Sequence, residues 1–326
     1  MQVRARGVRV DSQGEQVKNL SVMGVLLAGA AGLFCADAAN AIVINDDAGL
    51  QRAIDLGDPF DDSVVRLSTG CTGTLISLTT VLTAEHCNTA AGDSVFFTDG
   101  VATELSLGIE SVLDLGPGTD LLDGTDLTIA TLDTAATGRT PLRLWDGDIV
   151  GLEALTVGYG DSGLGSTGHG NTGDTTRRGA TNVIDWYGAA PFSGSGFFDN
   201  TANIVSTDFD DPEGTSNTLG GGDIGSSADM LADEGTTAPG DSGGPLLIDL
   251  AGEWLIAGVL AGGTEQFSIY GDISWWTGLR TGAARSFVED GGGVFADITA
   301  VPLPAGWALM ASIVALGGLA GRRRAG

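Results

Sequence analysis

In the middle of the chain, apolar residues fall in short β-rich runs broken by Gly, Asp and Thr: residues 64–67, 74–84, 94–98, 103–113 and 127–132. Runs of this kind with turn formers between them predict strands of a barrel or sandwich. A second set follows at residues 154–159, 180–186, 203–207, 245–250, 254–261 and 267–273. Together the two sets suit an all-β fold of two barrels joined near residues 134–146. Residues 274–289 carry Trp275, Trp276, Leu279, Ala283 and Phe287 at mixed three- and four-residue steps, which predicts a closing amphipathic helix. Residues 161–234, rich in Gly, Ser, Thr and Asp, predict long surface loops. No fixed repeat period is apparent, which counts against a repeat-built scaffold.

The two ends differ from this body. Residues 1–19 carry Arg4, Arg6, Arg9 and Lys18, and an apolar run over 20–34 then leads to small residues ending Ala39-Asn40-Ala41. That order predicts a secretory signal peptide over 1–41, with signal peptidase as a processing partner. At the other end, Val301-Pro302-Leu303-Pro304-Ala305 opens a 21-residue stretch without a charge, closed by Arg322-Arg323-Arg324. A stretch of that length can span a bilayer as a helix, with the arginines on the cytoplasmic side. The box, the short apolar helix and the basic tail over 301–326 resemble the VPLPA variant of the PEP-CTERM sorting signals of Gram-negative bacteria. That resemblance implies recognition by an exosortase-type membrane enzyme and membrane anchoring until processing; the alternative is a plain anchor.

Charge narrows the partners. Residues 42–300 hold 8 of the 15 basic and 39 of the 42 acidic residues, a net charge near −31. Nucleic acid and anionic membrane surfaces would be repelled by it. The run Asp208-Phe209-Asp210-Asp211-Pro212-Glu213 reads as a solvated loop, with calcium coordination as the alternative.

Candidate chemistry sits in three places. In Ala238-Pro239-Gly240-Asp241-Ser242-Gly243-Gly244-Pro245, an Asp-Ser pair between glycines suits a tight turn that exposes the hydroxyl and aims two backbone N–H groups at one point. A serine needs an imidazole to take its proton, and the imidazole needs a carboxylate to fix its tautomer. Of the two histidines, His86 in Thr83-Ala84-Glu85-His86-Cys87 is the convincing base. His169, in a Gly-rich stretch, has no evident group to fix its ring. Asp126, at the head of the run Leu127-Thr128-Ile129-Ala130, is the preferred carboxylate, with Asp120 and Asp123 as competitors.

These motifs, in the order His, Asp, Ser, resemble the trypsin/chymotrypsin family of serine proteases over roughly residues 42–290. Cys71-Thr72-Gly73-Thr74-Leu75-Ile76 resembles the strand before the family's histidine, and Gly158-Tyr159-Gly160 its Gly-Trp-Gly. The resemblance implies two six-stranded antiparallel β-barrels, about 42–140 and 146–290, within a domain spanning 42–300 and closed by a C-terminal helix. It implies Ser242 as nucleophile, His86 as general base and acid, Asp126 as orienting carboxylate, and the N–H groups of Gly240 and Ser242 as oxyanion hole. It also implies a Cys71–Cys87 disulfide, leaving Cys35 in the signal peptide and pointing to an oxidising compartment. Neither a metal nor a cofactor is implied.

The pocket departs from trypsin. The floor position falls on Thr236 where a trypsin-like enzyme carries Asp, and the wall corresponds to Ala261-Gly262-Gly263, with Gly271 also at the pocket. The expectation is a small or apolar residue before the cut bond. Cleavage after Ala41 would expose Ile42, whose ammonium, by the same resemblance, would pair with Asp241; the alternative is a first strand that happens to begin there. The chain reads as an exported endopeptidase of the cell envelope or extracellular space, acting on protein or peptide substrates. The alternatives are a catalytically silent homologue serving as a surface binding or adhesion module, and a structural matrix protein.

Overall fold

The computed structural model describes residues 42–98, 103–116, 121–170, 175–191, 203–221, 224–264 and 267–297. The expected signal peptide, the sorting segment with its membrane helix, and Cys35 lie outside these residues. Among the described residues no helix is long and apolar enough to cross a membrane.

Following a short strand β1 (Ile42–Ile44) and a helix α1 (Leu50–Gly57), the first lobe comprises β2 (Val64–Leu67), β3 (Thr72–Ser77), β4 (Thr80–Thr83), β5 (Ser94–Thr98), β6 (Thr103–Asp114) and β7 (Thr128–Leu132). These six close into a barrel in the order β2-β3-β4-β7-β6-β5, every pairing antiparallel. Period-two alternation explains the near-continuous apolar runs, because both faces are covered. Val65, Leu75, Val81 and Ala130 point into the barrel. Their neighbours Val64, Ile76, Leu82 and Ile129 point out of it, into a core shared with the second lobe.

The second lobe comprises β8 (Arg143–Leu144), β9 (Glu153–Gly158), β10 (Ser162–Leu164), β11 (Gly168–Gly170), β12 (Arg178–Val183), β13 (Trp186–Gly188), β14 (Ile204–Asp208), β15 (Gly235–Thr236), β16 (Pro245–Leu250), β17 (Glu253–Gly263) and β18 (Ile273–Gly278), then α2 (Gly282–Asp290). Its main sheet runs β12-β9-β16-β17-β18-β14-β13, with β8 beside β17. Leu155, Val157, Leu247, Ile256 and Val259 face the shared core, while Ala154, Ile248, Leu255, Ala257 and Trp276 face the other way into a core of their own. A smaller sheet, β11-β10-β1-β15, packs beside β12, with Ile42 and Ile44 sharing a core with Ala180.

This second lobe is not the six-stranded antiparallel barrel expected. Between β12 and β14 a side chain stands in for a backbone ladder: Asn182 Nδ2 donates to Asp208 O at 2.7 Å and to Gly235 O at 3.1 Å. Two pairings are parallel, β1 with β10 and β8 with β17. The expected strand over 267–273 is mostly turn, and the expected helix over 274–289 begins as β18. Strand geometry wins there because Trp275 and Trp276 pair on both sides, with β14 and β17. The helix starts only after Thr281, whose side chain accepts from Ala284 N. Residues 161–234, expected as surface loop, contain the strands β10 to β14.

Candidate active site

One ladder brings His86 and Asp126 together. Strands β4 and β7 pair antiparallel with Thr83 opposite Thr128, so residues just past β4 face residues just before β7. Beyond Thr83 the chain makes a single 3₁₀ turn, Glu85–Cys87. Its His86 donates its backbone N–H to Asp126 Oδ1 at 2.9 Å, and its ring Nδ1 lies 2.7 Å from Asp126 Oδ2. Asp126 is only 1% exposed while the histidine side chain keeps 23% of its surface in solvent. That is the arrangement of a carboxylate fixing a tautomer while the far edge of the ring stays reachable. Burial first, and then the charges of Asp114 and Asp126, push the neighbouring Glu85 carboxyl up.

Cys71 and Cys87 are joined by a disulfide, S–S 2.07 Å, across 16 positions. It ties the turn carrying His86 to the residue before β3. Of the competing carboxylates, Asp123 is spent on a local turn, its Oδ1 accepting from Thr125 N and Thr125 Oγ1; Asp120 lies outside the described residues. His169 is not without a neighbour as expected, since Asp161 Oδ2 stands 3.5 Å from its Nδ1. The contact arises because β10 and β11 form a hairpin with Gly163 opposite His169.

Ser242 sits in a double turn, Asp241 N donating to Ala238 O at 3.0 Å and Gly244 N to Asp241 O at 2.8 Å. Thr72 N, at the head of β3, donates to Ser242 O at 2.9 Å, and Cys87 Sγ lies 3.6 Å from the same oxygen. The serine turn is therefore seated on the strand ends that carry His86. Gly243 makes this possible: its φ is +79°, and a Cβ there would strike Thr83 Oγ1 at 2.1 Å and Thr72 O at 2.4 Å. Among the described residues the backbone N–H groups of Gly240 and Ser242 donate no hydrogen bond. The Ser242 hydroxyl makes no hydrogen bond to the ring in this structure. Such contacts commonly tighten only when substrate is bound.

Asp241 is fully buried, its Oδ1 accepting from Gly160 N at 2.8 Å and its Oδ2 from Ala238 N at 2.9 Å. Burial pushes its carboxyl up to about 7 against the opposite pull of those two N–H groups. Ile42 comes close to this corner through Ser162, its parallel partner two residues beyond Gly160.

A slot of about 240 Å³ opens beside Ser242, lined by Thr237, Ala238, Pro239, Leu260, Gly262, Gly263, Ser268 and Asp272. Of the five pocket positions expected from the sequence, Gly262 and Gly263 line it. Thr236 stands behind, hydrogen-bonded through Oγ1 to Asp272 Oδ2 and Ser274 Oγ. Ala261 packs the other way, against Ile204 and Trp275. Gly271 is turned to a neighbouring loop, its carbonyl accepting from Thr218 Oγ1. Thr237, Leu260, Ser268 and Asp272 line the slot without a sequence motif to mark them. A larger hollow, about 500 Å³, lies at Glu153, Thr181 and Asp249 and does not include Ser242.

The run Asp208–Glu213 is solvated only at Pro212 and Glu213. Asp208, at the end of β14, and Asp210 and Asp211 just beyond it are buried. Leu219 N donates to Asp208 Oδ2, and Thr215 N to Asp211 Oδ1. Among the described residues no three His, Cys, Asp or Glu side chains are grouped to hold a metal ion.

No family model matches the chain, and no curated protein does. Among solved structures it is similar to neuropsin, a serine protease expressed in the limbic system of mouse brain, at 17% identity and a TM-score of 0.49, over 71% of this chain and 94% of that one. That likeness is too distant to carry the fold across.

Proposed function

We propose that the chain is an exported serine endopeptidase. The observation that supports it most is the β4–β7 register, which holds His86 against the buried Asp126 at the strand end where the Ser242 turn is seated. In the proposed reaction Ser242 Oγ attacks the substrate carbonyl while His86 Nε2 takes the hydroxyl proton. Asp126 keeps Nδ1 protonated and stabilises the imidazolium. The N–H groups of Gly240 and Ser242 stabilise the tetrahedral oxyanion. His86 then gives the proton to the leaving amine, and water, activated by the same ring, releases the acyl group from Ser242.

The test is labelling by a fluorophosphonate probe together with hydrolysis of a peptide library. Ser242→Ala should abolish labelling and lower turnover by on the order of a millionfold, the scale seen when a serine protease loses its nucleophile. Undiminished peptidase activity in that variant would refute the assignment. The second reading, a silent homologue acting as a binding module, draws on the missing hydrogen bond between Ser242 and the ring. It predicts that the wild-type protein is neither labelled nor active.

Residues 1–41 as signal peptide and residues 301–326 as a membrane-anchored sorting signal complete the proposal, placing the domain in the cell envelope or outside. A mature start at Ile42 would put a new ammonium in the strand beside the corner that holds Asp241. N-terminal sequencing decides it: a start at Ala39 would leave three residues in the way.

A further inference from the structure

The two N–H groups proposed to meet the oxyanion stand in a turn whose other backbone groups are held. Pro239 O accepts from Asp161 N at 2.7 Å, Asp241 N donates to Ala238 O at 3.0 Å, Asp241 O accepts from Gly244 N at 2.8 Å, and Gly243 N donates to Leu260 O at 2.9 Å. All of those partners belong to the second lobe. The carbonyls of Gly240 and Ser242 are held from the first lobe by a single residue, Thr72. Its N–H donates to Ser242 O at 2.9 Å, and its hydroxyl donates to Gly240 O at 3.0 Å.

The direction of that hydroxyl is fixed by its neighbours. Thr72 is fully buried, and its Oγ1 also accepts from Tyr159 N at 3.0 Å. A backbone N–H can only donate and a carbonyl only accept, so the one hydroxyl proton points at Gly240 O. Thr72 O accepts in turn from Thr83 Oγ1 at 2.8 Å, at the end of β4 that leads to His86. Gly240 is where such a hold is needed, because at φ +99° and with no side chain its backbone turns more cheaply than any other residue's. The Gly240–Asp241 peptide lies between the two free donors, so its orientation sets the angle at which they converge. Thr72 and Gly240 stand 168 positions apart, and no sequence motif marks their meeting.

We infer that Thr72 is a positioning residue for the proposed reaction: its hydroxyl fixes the peptide between Gly240 N–H and Ser242 N–H so that both donors point at the developing oxyanion. The inference rests on the reading of Ser242 as nucleophile. Thr72 touches no reacting atom and acts through the turn. Donors aimed in advance stabilise the transition state more than the bound substrate, so loss of the hydroxyl falls on kcat and spares KM.

The experiment places Thr72→Val, Thr72→Ala and Thr72→Ser in the intact chain. It measures kcat and KM on a peptide that the wild type cleaves, and inhibition by a peptide aldehyde, whose adduct with the serine carries the tetrahedral oxyanion. Valine keeps the shape and leaves Gly240 O and Tyr159 N without that partner. Its kcat should fall by about ten- to a hundredfold, short of the roughly hundred- to thousandfold lost with an oxyanion donor itself. KM should hold, and affinity for the aldehyde should fall with kcat. Thr72→Ser restores the hydroxyl and should recover most of both. A hydroxyl that served the fold alone would lower the melting temperature and leave the aldehyde affinity of the folded protein unmoved. Should valine not fold, alanine against serine makes the same comparison; if neither valine nor alanine folds, the hydroxyl is a determinant of the fold and the inference falls. A valine variant with wild-type kcat, or a serine variant as slow as the valine one, overturns the inference and leaves the nucleophile standing. A wild type that is neither labelled by the fluorophosphonate nor active removes both.

Discussion

The Nδ1–Asp126 contact assigns a single proton to one side of an imidazole, and its consequence can be measured. Asp126→Asn keeps the shape but presents an amide that can donate to Nδ1, stabilising the tautomer that leaves Nε2 unable to accept. In trypsin's triad the same change lowers kcat about ten-thousandfold; a loss of that order is expected here, with labelling by the fluorophosphonate slowed in parallel. A variant within tenfold of wild type would remove Asp126 from the mechanism. His86, Ser242 and Asp126 are legible in the sequence because each stands in a local motif whose neighbours are part of the same turn or strand. Asp272 is not, since its partners Thr236 and Thr264 come from other segments. Nor is the burial of Asp208 and Asp210, where the polarity of the side chains signals solvent and the loops packed over them do not show.

Most of the first barrel can be read directly from its short apolar runs, because barrel interior and shared core are both apolar and the turns between them are rich in Gly and Asp. The second lobe is less readable for a physical reason. Arg177 is buried with Nε donating to Gly57 O and Nη1 to Thr98 O and the Tyr159 hydroxyl, so a charged residue does the packing there that an apolar one does elsewhere. Strand β18 is misread as helix because its paired tryptophans and the following Leu279 repeat at steps that satisfy either period. The disulfide gives a test for the turn carrying His86. Replacing Cys71 and Cys87 together by Ser should cost about 3 kcal/mol of stability in the chain-entropy model, read as a lower melting temperature. Activity at temperatures well below melting should fall as well, because the bridge fixes the segment on which His86 stands. Unchanged activity in a stably folded double variant would mean that the β4–β7 ladder alone positions the ring.

The acidity of the body has its own consequence for pH. Burial, and next the charge of Asp208, push the Asp185 carboxyl up to about 8. Burial likewise pushes Asp210 and Glu234 up to about 7. A carboxyl whose pKa is higher in the folded state holds its proton there after the unfolded chain has lost it. The folded state then binds more protons, and stability falls as pH rises from the ordinary carboxylate range through about 7 to 8. The urea midpoint should therefore decline from pH 5 to pH 8.5, and Asp210→Asn should flatten that decline and raise the midpoint at its alkaline end. A midpoint that climbs with pH over the same window would contradict the burial of these groups.

The bond from Thr72 N to the carbonyl of Ser242 makes the peptide of the proposed nucleophile a rung between the two lobes. Prising the lobes apart breaks that rung and moves the hydroxyl away from the imidazole before either lobe need come undone. On the proposed reading a partly sprung molecule would be an inert one, so that damage would switch the activity off before the chain unfolds.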